Sequence, residues 1–293
     1  MKTILLSGAS GFIASNFRKQ FHNEYKFILL SQHKNASSIT LNELENTPEL
    51  IRSIDIVINL AGANIGAKRW TTQRKQELLE SRISTTKNLV RLFNEYNSEI
   101  HFISASAIGI YHPNQENKET ESIDYSNYEN FSQEITKKWE TEALKFKGNL
   151  TITRFGVVLA SNGGAFPQML RPFLFGAGGK LGNGQQYFPW IALTDLLNAL
   201  KHIIDNKLTG IYTLVAPELI TNAELTKHIA QTWKRPAWFN LPQSVIRLIF
   251  GQMGQELFLN SIKISPDKLI ASRFKFNYPS IAECLTAIKK QEF

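Results

Sequence analysis

Lys2-Thr3-Ile4-Leu5-Leu6-Ser7-Gly8-Ala9-Ser10-Gly11-Phe12-Ile13-Ala14 opens the chain, and its reading decides the fold. A buried-strand pattern runs from Lys2 to Ser7, a glycine turn follows, and helical composition continues from Gly11 to His22. Gly8 permits the tight turn. Gly11 lets backbone come close to a pyrophosphate, and Ala14 is small enough for the helix to pack on a sheet. The helix start offers unpaired N–H groups and the positive end of its dipole to phosphate. Strand, glycine turn and helix in this order suit a dinucleotide, with Gly8, Ser10, Gly11, Phe12 and Ile13 as the contacts. An ordinary strand–helix turn is the alternative, and the pattern downstream favours binding.

That pattern alternates. Strand-like runs occur at Lys26–Leu30, Asp55–Leu60, Ile100–Ser104 and Leu150–Phe155, with helical stretches at Thr71–Tyr96 and Ser132–Phe146. Such alternation implies an α/β fold with a Rossmann-type, doubly wound parallel sheet, whose ligands bind beyond the carboxyl ends of the strands. Residues 161–189 change texture and are rich in Gly, Pro and Phe. Phe166, Met169, Leu170, Phe173 and Leu174 nevertheless have helical spacing, so this is a folded excursion. Thr194–Asn206 then reads as a helix and Gly210–Val215 as a strand, and the tail from Asn222 is mostly helical. The expected organisation is a dinucleotide-binding domain over residues 1–160, rejoined by about 190–216. A smaller, mainly helical substrate-side domain comprises residues 161–189 and 217–293.

The second strand ends Leu29-Leu30-Ser31-Gln32-His33-Lys34. A site for NAD usually places an acid here to grip the ribose 2′-hydroxyl, but no acidic residue occurs between Glu24 and Glu43. Ser31 can donate to a 2′-phosphate, and Lys34 or His33 can oppose its charge, with Gln32 beside them. NADP(H) is therefore favoured over NAD(H), unless these are merely loop residues.

The bulk numbers fit a soluble globular protein: 43% hydrophobic and 20% charged residues in 293. No run approaches the roughly 18–20 apolar residues that span a membrane, and Ile4-Leu5-Leu6 is too short for a signal-peptide core. A cytoplasmic location without membrane association is expected. The single cysteine, Cys284, excludes an intrachain disulfide and reads as a small buried residue. The six histidines show no ligand pairing, so no metal is expected. The net charge of +8 is dispersed rather than gathered in a stripe, which argues against nucleic acid while leaving a bias toward anionic ligands.

The sequence resembles the extended short-chain dehydrogenase/reductases. Gly8–Ala14 matches their glycine turn, and Asn59-Leu60-Ala61-Gly62 matches the segment along the adenine and ribose side. Phe102-Ile103-Ser104-Ala105-Ser106-Ala107 matches the strand of the active-site serine, and Arg154-Phe155-Gly156-Val157-Val158-Leu159 the segment near the nicotinamide. The resemblance thus implies Leu60, Ala61, Gly62, Ser104, Ala105, Phe155, Gly156 and Val157 as cofactor contacts. Further stretches resemble the atypical epimerase-like branch that carries a DUF1731 C-terminal domain. They are Ala63-Asn64-Ile65 with Lys68-Arg69-Trp70, Glu80-Ser81-Arg82, Trp139-Glu140, Gly163-Gly164-Ala165-Phe166, Trp190-Ile191 with Asp195, and Phe274–Pro279. Together they cover essentially the whole chain.

The departure is chemical. The superfamily's acid–base pair is Tyr-x-x-x-Lys, and none of the eight tyrosines here has lysine four residues on. Counting back from Trp139-Glu140, Ser132 and Thr136 hold the two places, and neither is a competent acid–base group near neutral pH without help. Ala192 stands where the superfamily often has histidine. The candidates for chemistry are Ser106, to hold a substrate carbonyl or hydroxyl, and Tyr111, to supply a proton if its loop turns inward. Arg82, on a helix that edges the cofactor cleft, is a candidate cofactor contact and forms a cationic rim with Lys68 and Arg69, unless these are surface charges. Trp70 and Trp190 wall a pocket or fill the core, Arg154 is structural or anchors an anion, and residues 176–184 form either a lid or a static turn cluster. Two readings remain open: an NADP(H)-dependent oxidoreductase or epimerase-like protein of unknown small-molecule substrate, or a non-catalytic NADP-binding redox-sensing or regulatory protein. A homodimer through the two long helices is compatible with either.

Overall fold

The computed structural model describes residues 1–32 and 37–293. Six strands form the central sheet: β1 (Lys2–Ser7), β2 (Tyr25–Leu30), β3 (Ile56–Asn59), β4 (His101–Ala107), β5 (Asn149–Phe155) and β6 (Gly210–Leu214). Their order is β2-β1-β3-β4-β5-β6, and every pairing is parallel. Sheet growth reverses at β1, with β2 on one side and β3 on the other. The loops leaving β1 and β3 therefore diverge, and a crevice opens beyond their carboxyl ends.

The apolar runs are explained by burial on both faces. Ile4 and Leu6 point to a core with Ala14, Phe17 and Phe21 of the Phe12–Phe21 helix and Leu196, Leu200 and Ile203 of the Leu193–Asp205 helix. Leu5 and Val57 point the other way, to Leu89, Val90 and Phe93 of the Thr72–Tyr96 helix. Between β2 and β3, where the sequence reading assigned no element, two short helices occur. Leu41–Glu45 opens with a Thr40/Glu43 capping box, and Pro48–Arg52 starts on a proline. Ser31 N–H donates to the Ile39 carbonyl at 3.0 Å, so this segment runs along the β2 edge.

Most boundaries shifted by one residue, and two elements end three residues from where the sequence placed them. β4 extends to Ala107 rather than Ser104, because Ala105, Ser106 and Ala107 continue the ladder against Thr153, Arg154 and Phe155. The next helix runs Phe131–Ala143 rather than Ser132–Phe146, capped by the Asn130 side chain, which accepts from Gln133 N–H.

A second core forms outside the sheet. Leu159, Phe166, Phe173 and Trp190 meet Ile220, Leu225 and Ile229 of the Asn222–Trp233 helix region and Ile281, Cys284, Leu285 and Ile288 of the Ile281–Lys289 helix. The spaced aromatics of the excursion fall on the Phe166–Leu174 helix. Two short strands, Val157–Leu159 and Trp190–Ala192, pair in parallel and join this core to the sheet. Asp195 clamps the tail: its wholly buried carboxylate accepts the N–H groups of Asn277 and Tyr278, at 2.7 and 2.9 Å. The glycine-rich stretch is fixed rather than loose. Lys180 carbonyl accepts from Leu241 N–H at 2.8 Å, Leu181 N–H donates to Asn222 Oδ1 at 2.9 Å, and Gly184 carbonyl accepts from Ala223 N–H at 2.8 Å. Swinging as a lid would break all three, so the structure favours the static reading. No described helix is long and apolar enough to cross a membrane.

Candidate functional site

The parallel register brings the strand ends to one edge. Ser7, Asn59 and Ser104 stand side by side, and Ala107, Phe155 and Leu214 form a row three residues further out. At the switch point Gly8 has φ 66°, and a Cβ there would lie 2.7 Å from the Leu60 carbonyl oxygen. Only glycine fits that turn. Gly11 N–H donates to the Gly8 carbonyl at 2.8 Å and closes it. No side chain caps the helix that starts at Phe12, so its first-turn N–H groups face the crevice without a protein acceptor from a cap. Gly163 packs directly on the Phe12 ring, where a Cβ would approach to 2.2 Å. At Gly156, just past the end of β5, a Cβ would lie 2.8 Å from Val215 Cγ1 and 3.0 Å from the Pro189 carbonyl oxygen.

A buried polar chain that the sequence reading passed over braces the crevice floor. Ser7 Oγ donates to Asn59 Oδ1 at 2.5 Å, and Leu60 N–H donates back to Ser7 Oγ at 3.1 Å. Asn59 Nδ2 and Trp139 Nε1 both donate to Thr86 Oγ1, at 2.8 and 2.9 Å. Four elements are tied through three fully buried polar side chains. The available signal was polar residues ending two apolar strand runs, Ser7 and Asn59.

Of the residues beyond β2, Ser31 Oγ lies 2.7 Å from Ser38 Oγ and Gln32 is exposed. His33 and Lys34 lie outside the described residues. Arg82 does border the crevice: its guanidinium packs under Gly62, where a Cβ would lie 2.9 Å from Cζ. Ser104 and Ala105 are buried in β4.

On the other side of the crevice, Ser106, Arg154 and Thr213 are adjacent across three strands. Arg154 is wholly buried, and Glu140 grips it with two contacts of 2.9 Å, from Nε to Oε1 and from NH2 to Oε2. Burial opposes the Arg154 charge, but the carboxylate outweighs it and holds the guanidinium protonated. Ser106 Oγ donates to Glu140 Oε1 at 2.6 Å, and Tyr125 Oη donates to Oε2 at 2.7 Å. Tyr111 is 1% exposed, and its hydroxyl meets Thr213 Oγ1 at 2.5 Å and Arg154 NH1 at 3.2 Å. Burial pushes its phenol above the usual value, against the opposing pull of Arg154. The hydroxyls of Ser106 and Tyr111 are thus both engaged inside a closed network. The structure pairs Arg154 with protein rather than ligand.

A carboxylate from the C-terminal region meets Ser132, which holds the place of the absent tyrosine. Glu256 Oε2 accepts from Ser132 N–H and Ser132 Oγ, both at 2.7 Å, and Oε1 accepts from Phe131 N–H at 3.2 Å and from Gln252 Nε2 at 2.6 Å. Glu256 sits in a one-turn π-helix, Gln255–Leu259, a feature that often re-aims a side chain at functional sites. Thr136 Oγ1 donates to its own helix, at the Ser132 carbonyl. Trp70 lies in the small core between these elements with Phe131 and Met253. No sequence motif announced Glu256, because its partner lies 124 residues away.

Comparison with known proteins agrees with this architecture. Residues 4–214 match the model of the NAD dependent epimerase/dehydratase family, and residues 241–288 match the domain of unknown function DUF1731. The chain belongs to the epimerase family. An epimerase family protein of Staphylococcus saprophyticus, SSP1921, is 36% identical over 96% of this chain and 97% of its own length. The human epimerase family protein SDR39U1 is 30% identical over 97% of this chain and 99% of its own length. The crystal structure of human SDR39U1 (isoform 2) with NADPH superimposes with a TM-score of 0.90 at 29% identity, over 98% of this chain and 99% of that one. UDP-N-acetylglucosamine 4-epimerase from Bacillus cereus shares the fold, with a TM-score of 0.74 at 17% identity over 98% of each chain. Within this epimerase family member, the residues matched by the first model include all of the central sheet except Lys2 and Thr3, and the Gly8–Gly11 turn at its switch point.

Proposed function

We propose that this epimerase family protein binds NADP(H) across the switch-point crevice and acts as an oxidoreductase- or epimerase-type protein on a small molecule. One observation carries the reading. The Gly8–Gly11 turn is a cradle that a Cβ at Gly8 would fill, and it opens onto an uncapped helix start. The absence of an acid at the end of β2 supports NADP(H) over NAD(H), as does the NADPH bound by human SDR39U1. When bound, the cofactor supplies or accepts hydride; orientation and proton handling fall to this chain.

The braced floor of Ser7, Asn59 and Thr86 holds the Leu60–Gly62 segment in register with the Gly8 turn. Ser106 and Tyr111 are locked into the Arg154–Glu140 network and hold the β4 end rigid. Glu256 is the carboxylate that accepts hydrogen bonds from Ser132, the residue counted into the place of the family's tyrosine. It is the group we assign to proton transfer with substrate. Ser132 and the two backbone donors orient it.

A second reading, a non-catalytic protein that reports NADP(H) state to a partner, is favoured by the burial of Ser106 and Tyr111. The dissociation constants of NADPH and NADH test the cofactor assignment, with NADPH expected to bind at least tenfold more tightly. Equal values would overturn it. NADPH oxidation against a panel of carbonyl compounds and sugar nucleotides separates the two functional readings: turnover supports the enzyme, and none across the panel supports the reporter.

A further inference from the structure

Large apolar side chains face water on three segments of the second core's outer side. They are Leu174 with Phe175, Trp238 with Phe239, and Leu248 with Ile249. Trp238 is 83% exposed, Phe175 78% and Leu248 77%. Backbone contacts set the first two segments side by side. Phe239 N–H donates to the Gly178 carbonyl at 3.1 Å, and Leu241 N–H to the Lys180 carbonyl at 2.8 Å. Gly178 lies against the Phe173 ring, and a Cβ at Gly179 would come 1.9 Å from the Phe239 carbonyl oxygen. The Gln243–Phe250 helix follows at once. Ile246 is its buried residue, and Leu248, two positions on and so on the opposite side, is left to water. The charge of these segments is one-sided. No Asp or Glu occurs between Glu142 and Asp195, or between Glu224 and Glu256. Arg171, Lys234, Arg235 and Arg247 lie in those stretches, and all four are exposed.

Clustered apolar surface rimmed by charge marks an interaction site. A second copy seated face to face is disfavoured. A two-fold contact pairs one patch with itself, and would set these cations against their own copies with no carboxylate from either stretch between them. A partner's helix needs a groove to lie in, whereas these side chains stand out from turns. A bilayer with anionic headgroups suits both features. Projecting apolar tips enter the headgroup boundary, and the cations meet the lipid charge. Trp238 has the indole that favours this depth, with an apolar ring and an N–H for the headgroups. The hydrogen bonds at Gly178 and Lys180 fix the backbone beneath the tips, so little ordering is required on contact. We propose that the surface formed by residues 171–180 and 234–249 docks this protein on an anionic lipid bilayer, lying on the membrane rather than crossing it. The expectation of no membrane association rested on the lack of an apolar span, which bears on crossing and not on adsorption.

The test is co-sedimentation of the purified full chain with vesicles, either phosphatidylcholine alone or phosphatidylcholine with about one-third phosphatidylserine. Binding is expected on the anionic vesicles and should weaken as salt rises from about 0.1 to 0.5 M. Trp238→Ser combined with Phe239→Ser should lower the partition at least about tenfold. Lys234→Gln combined with Arg235→Gln should lower it by about twentyfold, from roughly fivefold per cation. All four side chains are exposed, so circular dichroism and Tm should stay those of the parent. Leu144→Ser, at an exposed apolar residue elsewhere, should bind as the parent does. A parent that stays in the supernatant with anionic vesicles overturns the proposal. If that parent is a dimer that the aromatic double variant dissociates, the surface is a contact between copies, and if it is a monomer, the occupant is a partner protein. Equal binding to neutral vesicles removes the anionic assignment, and unchanged binding by both double variants places the contact elsewhere; either result also overturns it. Should the aromatic variant not fold, the cationic variant and the salt series decide: no loss in either sinks the proposal.

Discussion

Glu140 grips Arg154 through two parallel contacts of 2.9 Å, with both side chains 1% exposed. The same carboxylate takes the hydroxyls of Ser106 and Tyr125, so four groups share one buried charge pair. Removing one partner strands the other in the interior. Glu140→Ala is expected to cost about 3–5 kcal/mol. For a chain of this size that is a fall in Tm of about 10 °C. A double variant, Glu140→Leu with Arg154→Met, should recover much of the loss. If the double variant melts no higher than the single, the pair contributes more than mutual neutralisation.

The Gly8 turn gives a sharper test of cofactor binding. Gly8→Ala puts a Cβ 2.7 Å from the Leu60 carbonyl and forces an L residue to φ 66°. The strand and helix on either side are held by their own cores, so the fold should survive. NADPH affinity should fall at least tenfold, measured by fluorescence titration beside far-UV circular dichroism. Parent-like affinity in a folded Gly8→Ala protein would place the cofactor elsewhere.

Glu256 joins the C-terminal region to the start of the Phe131–Ala143 helix. Glu256→Ala removes the acceptor for Phe131 N–H and Ser132 N–H and should destabilise by about 1–2 kcal/mol, as loss of a helix cap does. Hydrogen exchange should quicken at residues 131–134 and 252–259 and nowhere in the sheet. Any NADPH-dependent turnover should be lost in Glu256→Gln too, although Gln can still accept from those N–H groups. Full turnover in Glu256→Gln would reduce Glu256 to a tether.

His101 carries a pH dependence whose sign is fixed. Its Nε2 lies 2.7 Å from Thr151 Oγ1, and burial lowers its pKa to about 4 from the ordinary 6.5. The unfolded chain therefore binds a proton between pH 6.5 and about 4 that the folded chain does not. Stability is complete above 6.5 and declines as pH falls through that window, by up to about 3 kcal/mol. His101→Gln should flatten this part of a Tm-against-pH curve. An unchanged slope between pH 7 and 5 would assign the acid sensitivity to other groups.

Much of the cofactor side was legible because its determinants are local. The alternation of strand and helix, the glycine turn and the acid-free end of β2 are properties of neighbouring residues. Ser106, Tyr111 and Arg154 were legible as candidates but not in their partners. The row Ser106–Arg154–Thr213 exists only once β4, β5 and β6 are in register.

By itself the sequence determined a doubly wound parallel sheet and a glycine cradle at its first strand. Apolar periodicity and the steric freedom of glycine act over a few residues and need no distant partner. Tertiary structure alone decided what became of the missing Tyr-x-x-x-Lys pair. Ser132 and Thr136 hold those places, and Glu256 reaches Ser132 from 124 residues away. Ser106 and Tyr111 are drawn into a buried ion-pair network. Which hydroxyl is engaged and which carboxylate grips Arg154 is set by contacts between distant segments, and only the folded chain brings those segments together.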